Sequence, residues 1–278
     1  MSHKSQYVTC ANREVHVTVW GAENPQTLIM WHGLARNARD FDAIATALSD
    51  RYRVLCPDTV GRGLSQWAKD PVREYCLSFY GEIALDLIKA FDLDTMRWLG
   101  TSMGGALGIM LAAEPLKERI THLVINDIGP ALSDAAVGRI LNYAGNPPVF
   151  STMLELEDYL KNAYAPFGEL SAAAWRRIAE TSARRTDDGR FTTHYDPRIV
   201  DQFRHHPEDY DQWGRYDAIT AKTLLLRGAE SDLLLYEWAQ EMTRRGPRCR
   251  LETIAGCGHA PPLISPDQIA LVGSFLDD

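Results

Sequence analysis

Gly100-Thr101-Ser102-Met103-Gly104 sets a serine between two glycines, with one residue on either side of it. An apolar run, MRWLG, leads into the segment and a small-residue run, MGGALGIMLAA, leaves it. This is the spacing of a strand-to-helix turn so sharp that the residues two before and two after the serine crowd together, and glycine removes the Cβ atoms that would collide. Ser102 then sits at a helix N-terminus with its hydroxyl exposed, and the Met103 backbone N–H faces the place where an oxyanion develops. Composition alone yields such a pattern about 0.1 times in a chain of this length. The flanking strand and helix therefore carry the inference.

A serine at its ordinary pKa is a weak nucleophile, so a base must accompany it. Of the eight histidines, His259 alone lies in a glycine-punctuated loop, GCGHAPP, between a late strand and the last helix. The third member is a carboxylate that holds the imidazole in its working tautomer, and in this kind of architecture the chain order is serine, acid, histidine. Asp232 in LLLRGAESDLL, near the end of the penultimate strand, is the expected acid. Asp127 in VINDIGP also closes a strand and is the alternative, with Glu230 a third candidate. The Leu34 backbone N–H, after the apolar run TLIMW and His32-Gly33, is the expected second oxyanion donor. His32 reads foremost as a buried residue pinning that loop, and is kept as a substrate-binding candidate.

These residues need a frame, and the hydrophobic pattern supplies one. EVHVTVW alternates like an antiparallel strand, and TLIMW, YRVLCPD, MRWLG, ITHLVIND, KTLLLRG and residues 249–254 are apolar runs suited to strands covered on both faces. Helical stretches intervene. In the one from Ser78 to Phe91, Phe79, Ile83, Leu87 and Phe91 share a face. Such alternation gives βαβ units and a mostly parallel sheet. It lapses over residues 130–216, where an Ala-, Arg-, Tyr- and Trp-rich stretch broken by GNPP and HHPED reads as a helical cap inserted after the sixth strand. Residues 1–129 and 217–278 are then the core.

Composition excludes several functions. A net charge of −8 disfavours nucleic acid and anionic lipid as partners. Five scattered cysteines without a CxxC pair fit neither a disulfide framework nor a zinc ribbon. His205 and His206 are adjacent and lack further ligands, so no metal is expected. Without a signal-like or membrane-spanning run, the expectation is a cytoplasmic protein, monomeric or homodimeric, that acts on a small molecule.

Four places, His32-Gly33, DTVGRGLS at 58–65, GTSMGG at 100–105 and GCGHAP at 256–261, together resemble the α/β-hydrolase superfamily, and within it the capped serine esterases, lactonases and carbon–carbon hydrolases. The resemblance implies an eight-stranded, mostly parallel sheet flanked by helices, a Ser102-His259-Asp232 triad, an oxyanion hole of the Leu34 and Met103 amides, and no cofactor. Asp58, Gly61 and Gly63 would shape a structural loop. Epoxide- and halide-processing relatives carry aspartate at the elbow, which disfavours those activities here, and Leu34-Ala35 replaces the HGGG pattern of lipases that accept bulky tertiary alcohols. Hydrolysis of a carboxylic ester is the first expectation. Lactone opening and carbon–carbon cleavage are the alternatives, and a slow ligand receptor is the reading from another class. Trp175 and Arg36 are the further candidates for contacting substrate, and one of Arg36, Arg39, Arg176, Arg177, Arg184 and Arg185 could hold a substrate carboxylate, the alternative being solvated surface charges.

Overall fold

A computed structural model describes residues 3–278. The chain begins with β1 (Lys4–Cys10), β2 (Arg13–Trp20) and β3 (Thr27–Trp31), then α1 (Asp42–Leu48), β4 (Arg53–Pro57), the single turn α2 (Pro71–Glu74) and α3 (Leu77–Ala90). It continues with β5 (Met96–Thr101), α4 (Met103–Ala113) and β6 (Ile120–Asn126). Next come α5 (Asp134–Ala144), α6 (Met153–Ala163), α7 (Ala172–Ser182), β7 (Ala183–Arg185), β8 (Phe191–Thr193), α8 (Gln202–His205) and α9 (Trp213–Ala218). The last elements are β9 (Lys222–Gly228), α10 (Tyr236–Met242), β10 (Arg250–Ile254) and α11 (Pro266–Asp277).

Eight strands form one sheet in the order β1-β2-β4-β3-β5-β6-β9-β10. Only β2 runs against the others. Successive strand side chains point to opposite faces, and the central strands sort accordingly. Ile29, Trp31, Leu123, Ile125 and Leu225 enter the layer with α3 and α4. Leu28, Met30, Val124, Leu224 and Leu226 enter the layer with α1 and α11. Both faces are covered, which is why these strands read as unbroken apolar runs. The edge strand β1 exposes most of its residues and left no such run to read.

Two tryptophans lie beneath the β5–α4 turn. Trp31 and Trp98 stack with centroids 5.4 Å apart, the Trp98 indole N–H donates to the Gly104 carbonyl at 3.0 Å, and that of Trp31 donates to Thr59 Oγ1 at 2.9 Å. Both buried donors are thus satisfied.

The segment between β6 and β9 is mainly helical, with one unforeseen element, the hairpin β7–β8. Its turn carries Asp187-Asp188-Gly189, with Gly189 at φ +85°, and Thr186 and Arg190 bond across it. Strands of three residues are too short to show a period of two, so the Asp-Gly pair was the only available signal. A bridge between Phe150 and Phe191 ties the hairpin to the start of α6, whose first turn is held by a Thr152–Glu155 capping box.

A Cβ on Gly104 would stand 2.0 Å from the Trp31 carbonyl oxygen. Backbone cannot swing aside, so Gly104→Ala should lower stability by about 1–3 kcal/mol or more in urea melts. Gly138, with nothing within 4 Å of its would-be Cβ, is the control. Unaltered melting of Gly104→Ala would contradict the packed turn.

Candidate active site

Ser102 adopts φ +51° and ψ −116°, a conformation that side chains other than glycine rarely hold. The surroundings enforce it. Its N–H donates to the Asn126 carbonyl at 2.9 Å, and its own carbonyl accepts the first-turn amides of Gly105 and Ala106 at 2.8 and 3.0 Å. Met103 is the first residue of α4, so its N–H has no acceptor within the helix.

The histidine reaches Ser102 from the loop after β10. Gly228, at the end of β9, allows that loop to lie directly on the strand, since a Cβ there would meet the Gly258 carbonyl oxygen at 2.1 Å. Glu230 N–H donates to the Cys257 carbonyl at 3.0 Å, and Asn126 Nδ2 donates both to the Pro261 carbonyl at 2.9 Å and to Thr101 Oγ1 at 3.0 Å. Asn126 thereby ties the serine turn to the histidine loop. His259 Nε2 lies 2.9 Å from Ser102 Oγ, and its Nδ1 lies 2.8 Å from Asp127 Oδ2. With Nδ1–H donated to the carboxylate, Nε2 is left to accept the serine proton.

Asp127 is fully buried and holds φ +58°. Its Oδ1 accepts the Gly228 N–H at 2.8 Å, and its Oδ2 also accepts the Ser231 hydroxyl at 2.7 Å. These neutral donors fix the carboxylate and leave its charge directed at the imidazole.

Asp232, the acid expected from the sequence, is not brought to His259. Its side chain is 59% exposed and accepts from Arg139 Nη2 at 2.9 Å. The cause is sheet order. β6 lies beside β5 with Asn126 paired to Thr101, so Asp127 follows one strand as Ser102 follows its neighbour. β9 is one strand further out, and after Gly228 the chain turns on a Ser231 N–H to Gly228 carbonyl bond that carries Asp232 to the surface. Glu230 is exposed as well.

Two further candidates also lie elsewhere. His32 is fully buried, with Nδ1 2.7 Å from the Gly33 carbonyl and Nε2 accepting the Thr59 N–H at 2.9 Å; both nitrogens are spent on bracing the loop, and burial pushes its pKa down to about 4. Trp175 packs with Leu156, Leu160, Ile178 and Ala179 between α6 and α7. Aromatic residues at helical spacing serve the interior there, not the cavity.

Ser102 and His259 open on a cavity of about 70 Å³, walled by Leu34, Met103, Ile140, Tyr143, Tyr164 and Phe203. Arg36 also reaches it. Its Nε donates to Asp40 Oδ2 at 2.9 Å, its Nη1 donates to Ser182 Oγ at 3.0 Å, and the guanidinium lies 4.7 Å from the Tyr164 ring centre. Asp40 already balances its charge. Asp58 does shape the loop that follows β4, accepting the Ala38 and Leu64 amides at 2.8 and 3.0 Å, while Gly61 and Gly63 take positive φ.

Between those glycines stands a residue that sequence reasoning passed over. Arg62 is fully buried and has no carboxylate partner among the described residues. It donates to the Leu34 carbonyl and the Val60 carbonyl at 2.8 Å each, and its Nη2 lies 3.4 Å from Met103 Sδ, with the rings of Tyr75 and Tyr80 packed against the guanidinium. It thereby contacts both Leu34 and Met103, the two residues expected from the sequence to supply oxyanion-binding amides. Only its place between two glycines could have signalled this. Among the described residues, no three His, Cys, Asp or Glu side chains gather as a metal site, and no helix is long and apolar enough to cross a membrane.

The sequence profile of the alpha/beta hydrolase family matches residues 28–270. The chain belongs to that family. A 3-hydroxybutyrate-oligomer hydrolase of Cupriavidus necator is 39% identical over 92% of this chain and 90% of its own. The esterase Rv0045c of Mycobacterium tuberculosis is 26% identical over 93% and 85%. Among solved structures, an alpha/beta hydrolase from Novosphingobium aromaticivorans superposes with a TM-score of 0.90 at 33% identity, covering 99% of this chain and 98% of that one. The fold is thus that of the alpha/beta hydrolases.

Because folding lowers the His32 pKa from 6.5 to about 4, the unfolded chain takes up that proton first on acidification. This contribution is fully present above pH 6.5 and is lost as pH falls towards 4, a swing of about 3 kcal/mol. Urea melts from pH 7 down to 4 should lose stability more steeply in the wild type than in His32→Gln. Equal slopes would contradict a neutral, loop-bracing His32.

Proposed function

We propose that the protein is a serine hydrolase that cleaves a carboxylic ester of a small substrate through an acyl-enzyme. One observation carries the reading. A strained serine, a histidine and a fully buried carboxylate form a continuous hydrogen-bonded chain, Ser102 Oγ to His259 Nε2 at 2.9 Å and Nδ1 to Asp127 Oδ2 at 2.8 Å. In this reading Asp127 takes the place first assigned to Asp232.

Ser102 Oγ attacks the ester carbonyl carbon as His259 Nε2 takes its proton, and Asp127 stabilises the imidazolium that forms. The carbonyl oxygen becomes an oxyanion beside the Leu34 and Met103 amides. Collapse of the tetrahedral adduct breaks the ester C–O bond, and His259 gives its proton to the departing alcohol. Water, deprotonated by the same histidine, then releases the acid and frees Ser102. The segment between β6 and β9 acts as a cap, with Tyr143, Tyr164 and Phe203 enclosing the acyl group and keeping out bulk water. The name of the Cupriavidus relative makes linear oligomers of 3-hydroxybutyrate the first substrates to test.

Hydrolysis of p-nitrophenyl acetate and of the 3-hydroxybutyrate dimer tests the proposal. Ser102→Ala should reduce kcat by at least about 10³-fold, and Asp127→Asn by about 10³- to 10⁴-fold with little change in KM. Asp232→Asn should stay within about twofold, as expected of an exposed ion pair. Full activity in Ser102→Ala, or a larger loss in Asp232→Asn than in Asp127→Asn, would contradict the assignment.

A further inference from the structure

The cavity at Ser102 is small. Its volume of about 70 Å³ compares with about 300–1,000 Å³ for ordinary small-molecule sites, and suits one short acyl unit. Beside it runs a second groove of about 460 Å³, with walls that include Phe41, Ala174, Ile178, Pro261 and Ile264. The two spaces share Asp40, Thr101, Phe167 and Ala260 as a common wall. Thr101 directly precedes Ser102, and Ala260 directly follows His259. The larger space is therefore bordered by the residues that adjoin Ser102 and His259 in the chain.

Its charges are uneven. Asp40 is engaged by Arg36, and Asp42 alone is shared by two guanidiniums. Arg39 Nε donates to Asp42 Oδ1 at 2.8 Å and Arg177 Nε donates to Asp42 Oδ2 at 3.0 Å. One carboxylate cannot balance two cations, and the Arg177 side chain is 51% exposed at the groove. An apolar trough with a surplus positive charge at its rim suits a chain of apolar repeats that ends in a carboxylate.

We propose that this groove is the alcohol-side subsite for linear oligoesters of a short hydroxy acid, with the terminal carboxylate docked at Arg177 and Arg39. This rests on the Ser102 ester-hydrolase reading. His259 protonates the departing oxygen, and Ala260, next in the chain, belongs to the wall common to both spaces, so the groove is the side assigned to the leaving chain. The small cavity holds the single unit at the hydroxyl end. Ser102 Oγ bonds to that unit's carbonyl carbon, the ester C–O bond breaks with its electron pair passing to the alcohol oxygen, and that oxygen takes the His259 proton. Water then frees one hydroxy acid. Each cycle converts an oligomer of n units and one water into a monomer and an oligomer of n−1 units, cutting from the hydroxyl end.

The test uses the 3-hydroxybutyrate trimer as free acid and as methyl ester, with p-nitrophenyl acetate alongside, on the wild type, Ala174→Trp and Arg177→Ala. The first products from the methyl ester should be free monomer and dimer methyl ester; dimer acid with monomer methyl ester would overturn the polarity. Ala174→Trp should lower the ratio of trimer to p-nitrophenyl acetate kcat/KM by about tenfold. Arg177→Ala should raise KM for the free-acid trimer about fivefold more than for its methyl ester, the loss of one partly screened charge contact. Equal effects on all substrates in both folded variants would overturn the subsite. A wild type that ignores trimers yet hydrolyses p-nitrophenyl acetate through Ser102 defeats the subsite and leaves the esterase reading standing. Absence of any Ser102-dependent hydrolysis defeats the esterase reading itself.

Discussion

Close backbone contact at the β5–α4 turn is the constraint from which the site follows. A Cβ on Gly100 would stand 2.0 Å from the Gly104 carbonyl oxygen, and one on Gly104 equally close to the Trp31 carbonyl oxygen. The turn is pressed between β3 and the helix it starts, and Ser102 is left at a positive φ. The strain is held by burial of Trp31, Trp98 and the apolar faces of the central strands, whose packing outweighs the ~1–3 kcal/mol such a backbone costs. The position of the serine is thus a product of the whole core.

Electrostatics complete what packing begins. Asp127 is buried among neutral donors, so its charge is solvated by dipoles and remains available to the imidazole. Arg62 is the converse, a buried cation supported by backbone carbonyls and tyrosine rings instead of a carboxylate. Such a group is costly to desolvate. It contacts the Leu34 carbonyl and Met103 Sδ, so it fixes the Leu34 loop relative to the first residue of α4. His32, held neutral by burial, braces the same loop without adding charge.

The serine and the histidine were legible because each is flagged by glycines that the geometry demands, Gly100 and Gly104 for one and Gly256, at positive φ, for the other. The strands were legible where both faces are covered, and β1 was not because one face meets solvent. The carboxylate that contacts His259 was harder to read. Chain order admits Asp127 and Asp232 alike, and what separates them is strand adjacency. The Thr101–Asn126 pairing places Asp127 beside the serine turn, whereas Asp232 lies beyond a turn that leads outward. Residue type also misled at Trp175, where an aromatic on a helix fills the α6–α7 interior, and at β7–β8, where strands of three residues carry no periodicity. Local chemistry with its own glycine signature can be read from a chain; contacts set by sheet order cannot.

In the proposed mechanism His259, oriented by Asp127, makes Ser102 the reactive nucleophile. Intact-mass and peptide analysis after treatment with a fluorophosphonate tests it directly, because the reagent bonds to an activated serine and not to ordinary hydroxyls. A single adduct is expected on the peptide containing Ser102, formed far more slowly in folded His259→Gln. An adduct at another residue, or labelling of Ser102 at the same rate without His259, would contradict it.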